Sequence, residues 1–176
     1  MFKSFLPLPL LLLAAAVFGQ ALKPIPQMVM QTKAKQEFSE LSLFNKQAGQ
    51  AAERPEIKQT LQNWTLLSWD AAKMQELLAN AGNPVSLTLP WENNDVITLD
   101  LVPAKNFSDE FQVHTASTGG ASDDSDKGVH YWGIVRDNPA SLVTISLFGG
   151  EIIGSVEYDG GSFTIGLLPA SNDKTH

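Results

Sequence analysis

Residues 130–168, HYWGIVRDNPASLVTISLFGGEIIGSVEYDGGSFTIGLL, constrain this chain more than any other stretch. Four short runs rich in Val, Ile, Thr, Tyr and Phe are divided by Asp-Asn-Pro, Phe-Gly-Gly and Asp-Gly-Gly. β-Branched and aromatic side chains suit a pleated strand, whereas Gly, Asn and Asp accept the backbone angles of tight turns. The pattern predicts a meander of four antiparallel strands.

The residues before it read as smaller elements of the same kind. Trp64 to Trp69 has strand composition, and Asp70 stands where a helix N-cap is wanted, its carboxylate able to accept from the free N–H groups of the next turn. A helix is predicted over 71–81 with Met74, Leu77, Leu78 and Ala81 on one stripe and Gly82 as the left-handed residue beyond it. Val85, Leu87 and Leu89 alternate with polar residues, as do Ile97, Leu99 and Leu101, which predicts a hairpin with one wet face. Phe107, Phe111 and Val113 suggest a further edge strand, and residues 118–128 a Gly, Ser and Asp loop. The expected fold class is α+β and β-rich: an antiparallel sheet built as a meander of hairpins, with one or two short helices packed on it. Whether the sheet is a single layer under the 71–81 helix or two layers of a sandwich is open.

A length of 176 residues with 43% hydrophobic content allows one domain with a real core. Residues 1–19 carry one Lys, an apolar run too short to span a bilayer comfortably, and a small residue at its exit, which reads as a cleavable export signal. The competing reading, a buried N-terminal helix, is opposed by Pro7 and Pro9. Residues 20–59 are expected to form an extended or partly helical lead-in: 21–36 a linker or ordered extended arm, 37–52 a short helix with Phe38, Leu41 and Phe44 at spacings of three. The β-rich domain is placed at 60–170, and 171–176 reads as a truncated linker. The protein is expected to be secreted or periplasmic, with no membrane association after signal cleavage.

A net charge of −7 with only 12 scattered Lys and Arg argues against nucleic-acid binding, which needs clustered cations against phosphate. The absence of Cys removes disulfides, zinc thiolates, thiol nucleophiles and a lipidated Cys together. His114, His130 and His176 have no helical i, i+4 partner, so HExxH is missing; His114 and His130 fall on predicted strands. Asp123, Asp124 and Asp126 resemble a calcium loop, but Gly128 and Val135 occupy ligand places, so a solvated loop is the better reading. No GxSxG, P-loop or dinucleotide fingerprint occurs. Sequons at Asn63-Trp64-Thr65 and Asn106-Phe107-Ser108 matter only in a host that glycosylates them. The four tryptophans suit core or interface better than a sugar platform, although a stand-alone β-sandwich binding module using Trp91 or Trp132 for carbohydrate or protein is the alternative function.

Taken in order, Leu87-Thr-Leu-Pro90, Ile97-Thr-Leu-Asp-Leu101, Phe111-Gln-Val-His-Thr115, His130-Tyr-Trp-Gly133, Ser141-Leu-Val-Thr-Ile-Ser146, Gly154 and Phe163-Thr-Ile-Gly166 resemble the N-terminal propeptide domain of secreted reprolysin/ADAM-type zinc metallopeptidases, the bacterial members above all. The resemblance covers roughly residues 60–168, and its most specific part is a His-Tyr-x-Gly strand, a turn and a Ser-Leu-Val-x-Ile-Ser strand. It implies a non-catalytic prodomain that assists folding of a downstream catalytic domain and keeps it latent. Zinc would belong to that downstream domain, with no cofactor in this chain. The partner would be the cognate catalytic domain in cis. Animal relatives often silence the zinc with a propeptide Cys; this chain has none, so latency would need another contact. Tyr131, Trp132, Gly133, Ser141, Ile145, Gly154 and Phe163 are the candidate partner-contact residues, with function expected along the meander's edge.

Cleavage of the export signal is predicted after Gly19, so intact-mass analysis of the exported protein should show a terminus at Gln20.

Overall fold

The computed structural model describes residues 23–47, 63–91, 95–105, 113–114, 122–123, 127–148 and 151–168. The strands of the meander are β8 (Val129–Val135), β9 (Asn138–Phe148), β10 (Glu151–Tyr158) and β11 (Gly161–Ile165), each antiparallel to the next. The first turn falls at Arg136 and Asp137, one step before the Asp-Asn-Pro signal, with Asp137 at φ 62. Asn138 and Pro139 therefore open β9. The last turn is Asp159-Gly160, at φ 48 and 76, the pair of positive angles that a type I′ hairpin requires.

The strands β4 (Val85–Pro90) and β5 (Val96–Pro103) form the expected hairpin and extend the sheet, and β1 (Ser39–Ser42) adds a parallel strand beside β4. The result is one seven-stranded sheet in the order β1-β4-β5-β8-β9-β10-β11. Among the described residues the layering is therefore that of one large sheet with smaller elements on its faces. A two-stranded ribbon of β2 (Phe44–Lys46) and β3 (Leu67–Trp69) and the helix α2 (Ala71–Ala79) pack on one face. The helix α1 (Pro24–Lys33) packs on the other. A separate two-residue ladder joins β6 (Val113–His114) to β7 (Ser122–Asp123).

Two expectations about the lead-in are corrected. Residues 24–33 are a helix, with Pro24 at the first turn where its missing N–H is harmless. Residues 39–46 are two short strands and not part of a helix. The spacing of three between Leu41 and Phe44 arises because Leu43 interrupts the two strands, which turns both side chains into the same core. The lead-in thus contributes Val29, Phe38, Leu41, Leu43 and Phe44 to the interior. The export signal, Phe107, Phe111, Asp124, Asp126, the Asn106 sequon and residues 171–176 lie outside the described residues.

Asp70 caps α2 as its position predicts, accepting from the N–H groups of Ala72 at 2.8 Å and Lys73 at 3.2 Å. Gly82 takes φ 97 beyond the helix. Met74 and Leu77 face the core, but Leu78 and Ala81 are exposed because α2 is short and meets the sheet along a narrow stripe.

The core face of the sheet is concave. Trp91, just past β4, and Phe163 on β11 meet edge to face with ring centroids 4.6 Å apart. In a flat sheet these two strands would stand five strand spacings apart, roughly 24 Å. Curling fills the hollow with Leu87, Leu99, Leu101, Tyr131, Val143, Ile145, Ile152 and Val156, all nearly inaccessible to solvent. Glycine permits the bend where strands crowd. A Cβ at Gly133, beside the register shift in β8, would strike the Asp100 carbonyl and approach Leu101 Cδ2 to 2.6 Å.

Gly133→Ala should therefore lose about 2 kcal/mol of stability in denaturant unfolding, the usual cost of overpacking. Gly166→Ala, with nothing within 4 Å of the added Cβ, should stay within about 0.5 kcal/mol of the parent.

Candidate functional site

The convex face carries the densest polar arrangement among the described residues. Glu40, Ser86 and Asp100 stand in register across β1, β4 and β5, and Arg136 reaches back over them from the turn after β8. Alternation predicts a wet face for this hairpin, yet Ser86 is fully buried and Asp100 is 1% exposed. The reason is α1, which lies across β5, β8 and β9 and seals the face with Val29, Phe38, Val102 and Ile134.

Asp100 is satisfied from three sides. Its Oδ2 accepts from Lys33 Nζ at 2.5 Å, and its Oδ1 accepts from Ser86 Oγ at 2.7 Å and from Arg136 Nη2 at 3.1 Å and Nε at 3.2 Å. Arg136 Nη2 also donates to Glu40 Oε1 at 2.7 Å. Burial alone would push the Asp100 carboxyl up; bonds from Lys33, Ser86 and Arg136, with the Arg136 charge, outweigh it and hold the carboxyl below its ordinary value of 3.8. Every member has a protein partner, and the chemistry is that of a fastener between α1 and the sheet.

The candidate contact residues separate by face and depth. Tyr131 and Ile145 are core residues at 1% exposure, and Gly133 is buried between strands. The Tyr131 hydroxyl lies near the Gly82 backbone but outside hydrogen-bonding geometry; burial pushes its phenol up. Ser141 is buried and stitches the β8–β9 turn, accepting from Val135 N at 2.7 Å and donating to Asn138 O at 2.6 Å. Trp132 is half-buried on the convex face, where its register partners are Val102 and Thr144. Gly154 and Phe163 lie at the β10–β11 end of the sheet. Of the seven, only Trp132, Gly154 and Phe163 retain surface. Trp91, the other candidate sugar platform, is engaged edge-on by Phe163. His130 is held by Ser146 Oγ and the Lys127 carbonyl, each at 2.9 Å, as a hydrogen-bonded strand residue.

The surface that remains is an edge. Among the described residues β11 pairs with β10 alone, while its sequence Gly-Ser-Phe-Thr-Ile has no charge and no proline to discourage a further strand. The opposite edge, β1, differs: it carries Glu40, tied to Arg136, and it lies against α2. An open hollow of about 450 Å³ adjoins the start of β11, lined by Asn138, Ala140, Glu157, Asp159 and Ser162 among others. Periodicity alone could have marked β11 as terminal in the meander, but the pairing of Glu40 with Arg136 and the packing of α2 against β1 depend on contacts distant in sequence.

Among the described residues no group of three or more His, Cys, Asp or Glu is placed to hold a metal ion, and no helix is long and apolar enough to cross a membrane. No family model matches the sequence, and neither a curated protein nor a solved structure is detectably similar to it.

Asp100→Asn should destabilise the protein at pH 7 by about 3 kcal/mol, since it leaves Arg136 and Lys33 facing a neutral group. A folded-state value lowered from 3.8 means that the carboxylate's contribution is present above that pH and is lost as pH falls below it. Unfolding curves of parent and variant should therefore converge in acid. Lys33→Met, at a half-exposed side chain, should cost only about 1 kcal/mol and should first raise amide exchange in α1.

Proposed function

We propose that this chain is the non-catalytic prodomain of a secreted zinc metalloendopeptidase precursor, assisting the folding of a downstream catalytic domain and holding it latent. The observation that carries the reading is the difference between the two edges of the sheet: β1 carries the charged Glu40, paired with Arg136, and has α2 against it, whereas β11 is uncharged and among the described residues pairs with β10 alone. Edge pairing supplies affinity through main-chain bonds without catalytic side chains. It also supplies a latency contact that needs no Cys. The motifs that resemble the propeptide family support the reading further, because those at 87–101 and 130–166 are consecutive strands of one sheet.

On this reading zinc belongs to the catalytic domain in cis, this chain binds no cofactor, nucleic acid or membrane, and the protein works outside the cytoplasm. Trp91 and Trp132 are then packing residues and not a carbohydrate platform.

The reading frame should continue beyond codon 176 into an HExxH motif; a stop codon there would sink the zymogen assignment. Given that frame, the catalytic domain refolded without this chain should recover at least about tenfold less peptidase activity than with it. Adding the purified chain in trans to the active peptidase should suppress hydrolysis, and equal activity in its presence and absence would remove the latency role.

A further inference from the structure

We propose that the edge of β11 left unpaired among the described residues takes up an extended polypeptide segment in which apolar residues alternate with lysine or arginine. The inference deepens the partner-binding reading above, since it names the chemistry of the segment docked at that same edge.

The backbone sets the first requirement. A two-residue type I′ turn at Asp159-Gly160 closes on a hydrogen-bonded pair, Tyr158 and Gly161, and bonded pairs then alternate along the hairpin. Ser162 and Thr164 fall in the non-bonded positions, so their N–H and C=O groups point away from β10 toward the open side. An extended chain can pair with both.

The two faces set the side-chain pattern. Phe163 and Ile165 turn to the concave side, where they are only partly buried and continue the core beside Trp91. A neighbouring strand would extend this layer with apolar residues at every second position. On the convex side β11 presents the small, exposed Ser162 and Thr164, and Glu157 stands directly across from Ser162 on β10. A docked residue beside Ser162 would have its Cβ about 10 Å from that of Glu157, a gap a lysine or arginine spans across so small a side chain. The head group would enter the hollow that Glu157, Asp159, Asn138 and Ser162 line.

Charge decides among occupants. From residue 138 to 168 the chain contains Glu151, Glu157 and Asp159 and no Lys or Arg. A second copy paired edge to edge would set the same cation-free hairpin against this edge and leave Glu157 and Asp159 without a counter-charge. A segment with cations on the convex side meets complementary charge instead.

The test uses the intact chain and an end-capped octapeptide of alternating Val and Lys, followed by titration calorimetry and amide exchange. Binding is expected, weakening as salt rises, with new protection at Ser162 and Thr164. An alternating Val and Glu octapeptide should bind at least about tenfold more weakly, and Glu157→Gln should reduce affinity for the Val and Lys peptide about fivefold. Thr164→Pro removes an outward N–H without touching the β10 ladder and should abolish binding. A Val and Lys peptide N-methylated on alternate backbone nitrogens makes the same point should that variant fail to fold. Equal binding of the two charge types, undiminished binding of the N-methylated peptide, no binding at 1 mM on the order of weak peptide affinities, protection at β1 in place of β11, or dimerisation of the free chain through β11 would each overturn the proposal. Peptide binding without inhibition of a peptidase in trans would keep the edge chemistry and remove the prodomain role; inhibition without peptide binding would do the reverse.

Discussion

A carboxylate buried between a helix and a sheet is costly unless every lone pair is answered, and Asp100 is the point at which this fold meets that cost. Its partners come from α1, β4 and the turn after β8, and through Arg136 the network extends to Glu40 on β1. Five segments, joined by bonds between residues up to 96 positions apart in sequence, are thereby held to one geometry. Apolar contact alone would let α1 slide along the sheet, because Val29, Phe38, Val102 and Ile134 make a small seal without direction. The ionic fastener adds direction, and Lys33 in the last turn of α1 also suits the negative end of the helix dipole.

The opposite face is organised by curvature. Bending the sheet until Trp91 meets Phe163 gives a concave interior that buries Tyr131, Ile145 and Val143. The close approach of β5 and β8 at Gly133, and of β9 and β10 at Gly154, depends on the missing Cβ at both positions; at Gly154 a Cβ would lie 2.5 Å from Ile145 Cδ1. These glycines mark the meander as a site of packing more than of docking. The charged edge at β1, with α2 against it, and the uncharged edge at β11, paired with β10 alone among the described residues, make the sheet asymmetric.

The sequence by itself determined the local elements. The meander was legible because strand and turn vocabularies alternate within a few residues, and the capped helix at 71–79 because Asp70 and Gly82 bracket its apolar stripe. The hairpin at 85–101 was legible in its pairing, with Leu87 opposite Leu99 as alternation predicts. Tertiary structure decided what alternation cannot express. A period of two tells that Ser86 and Asp100 share a face, but whether that face meets water depends on α1, whose mixed and proline-bearing sequence reads as an arm when taken alone. Ten residues with two prolines form no stable helix by propensity, so α1 exists by docking. The same holds for β1, whose four residues become a strand only by pairing with β4, more than forty positions away. Which of the candidate contact residues are accessible was decided there too: Tyr131, Ser141 and Ile145 have strand-like surroundings in sequence, and only the curl and the turn stitching bury them. Local chemistry selects strands and caps because their bonds close within a few residues, whereas burial and exposed edges are set by which distant surfaces meet.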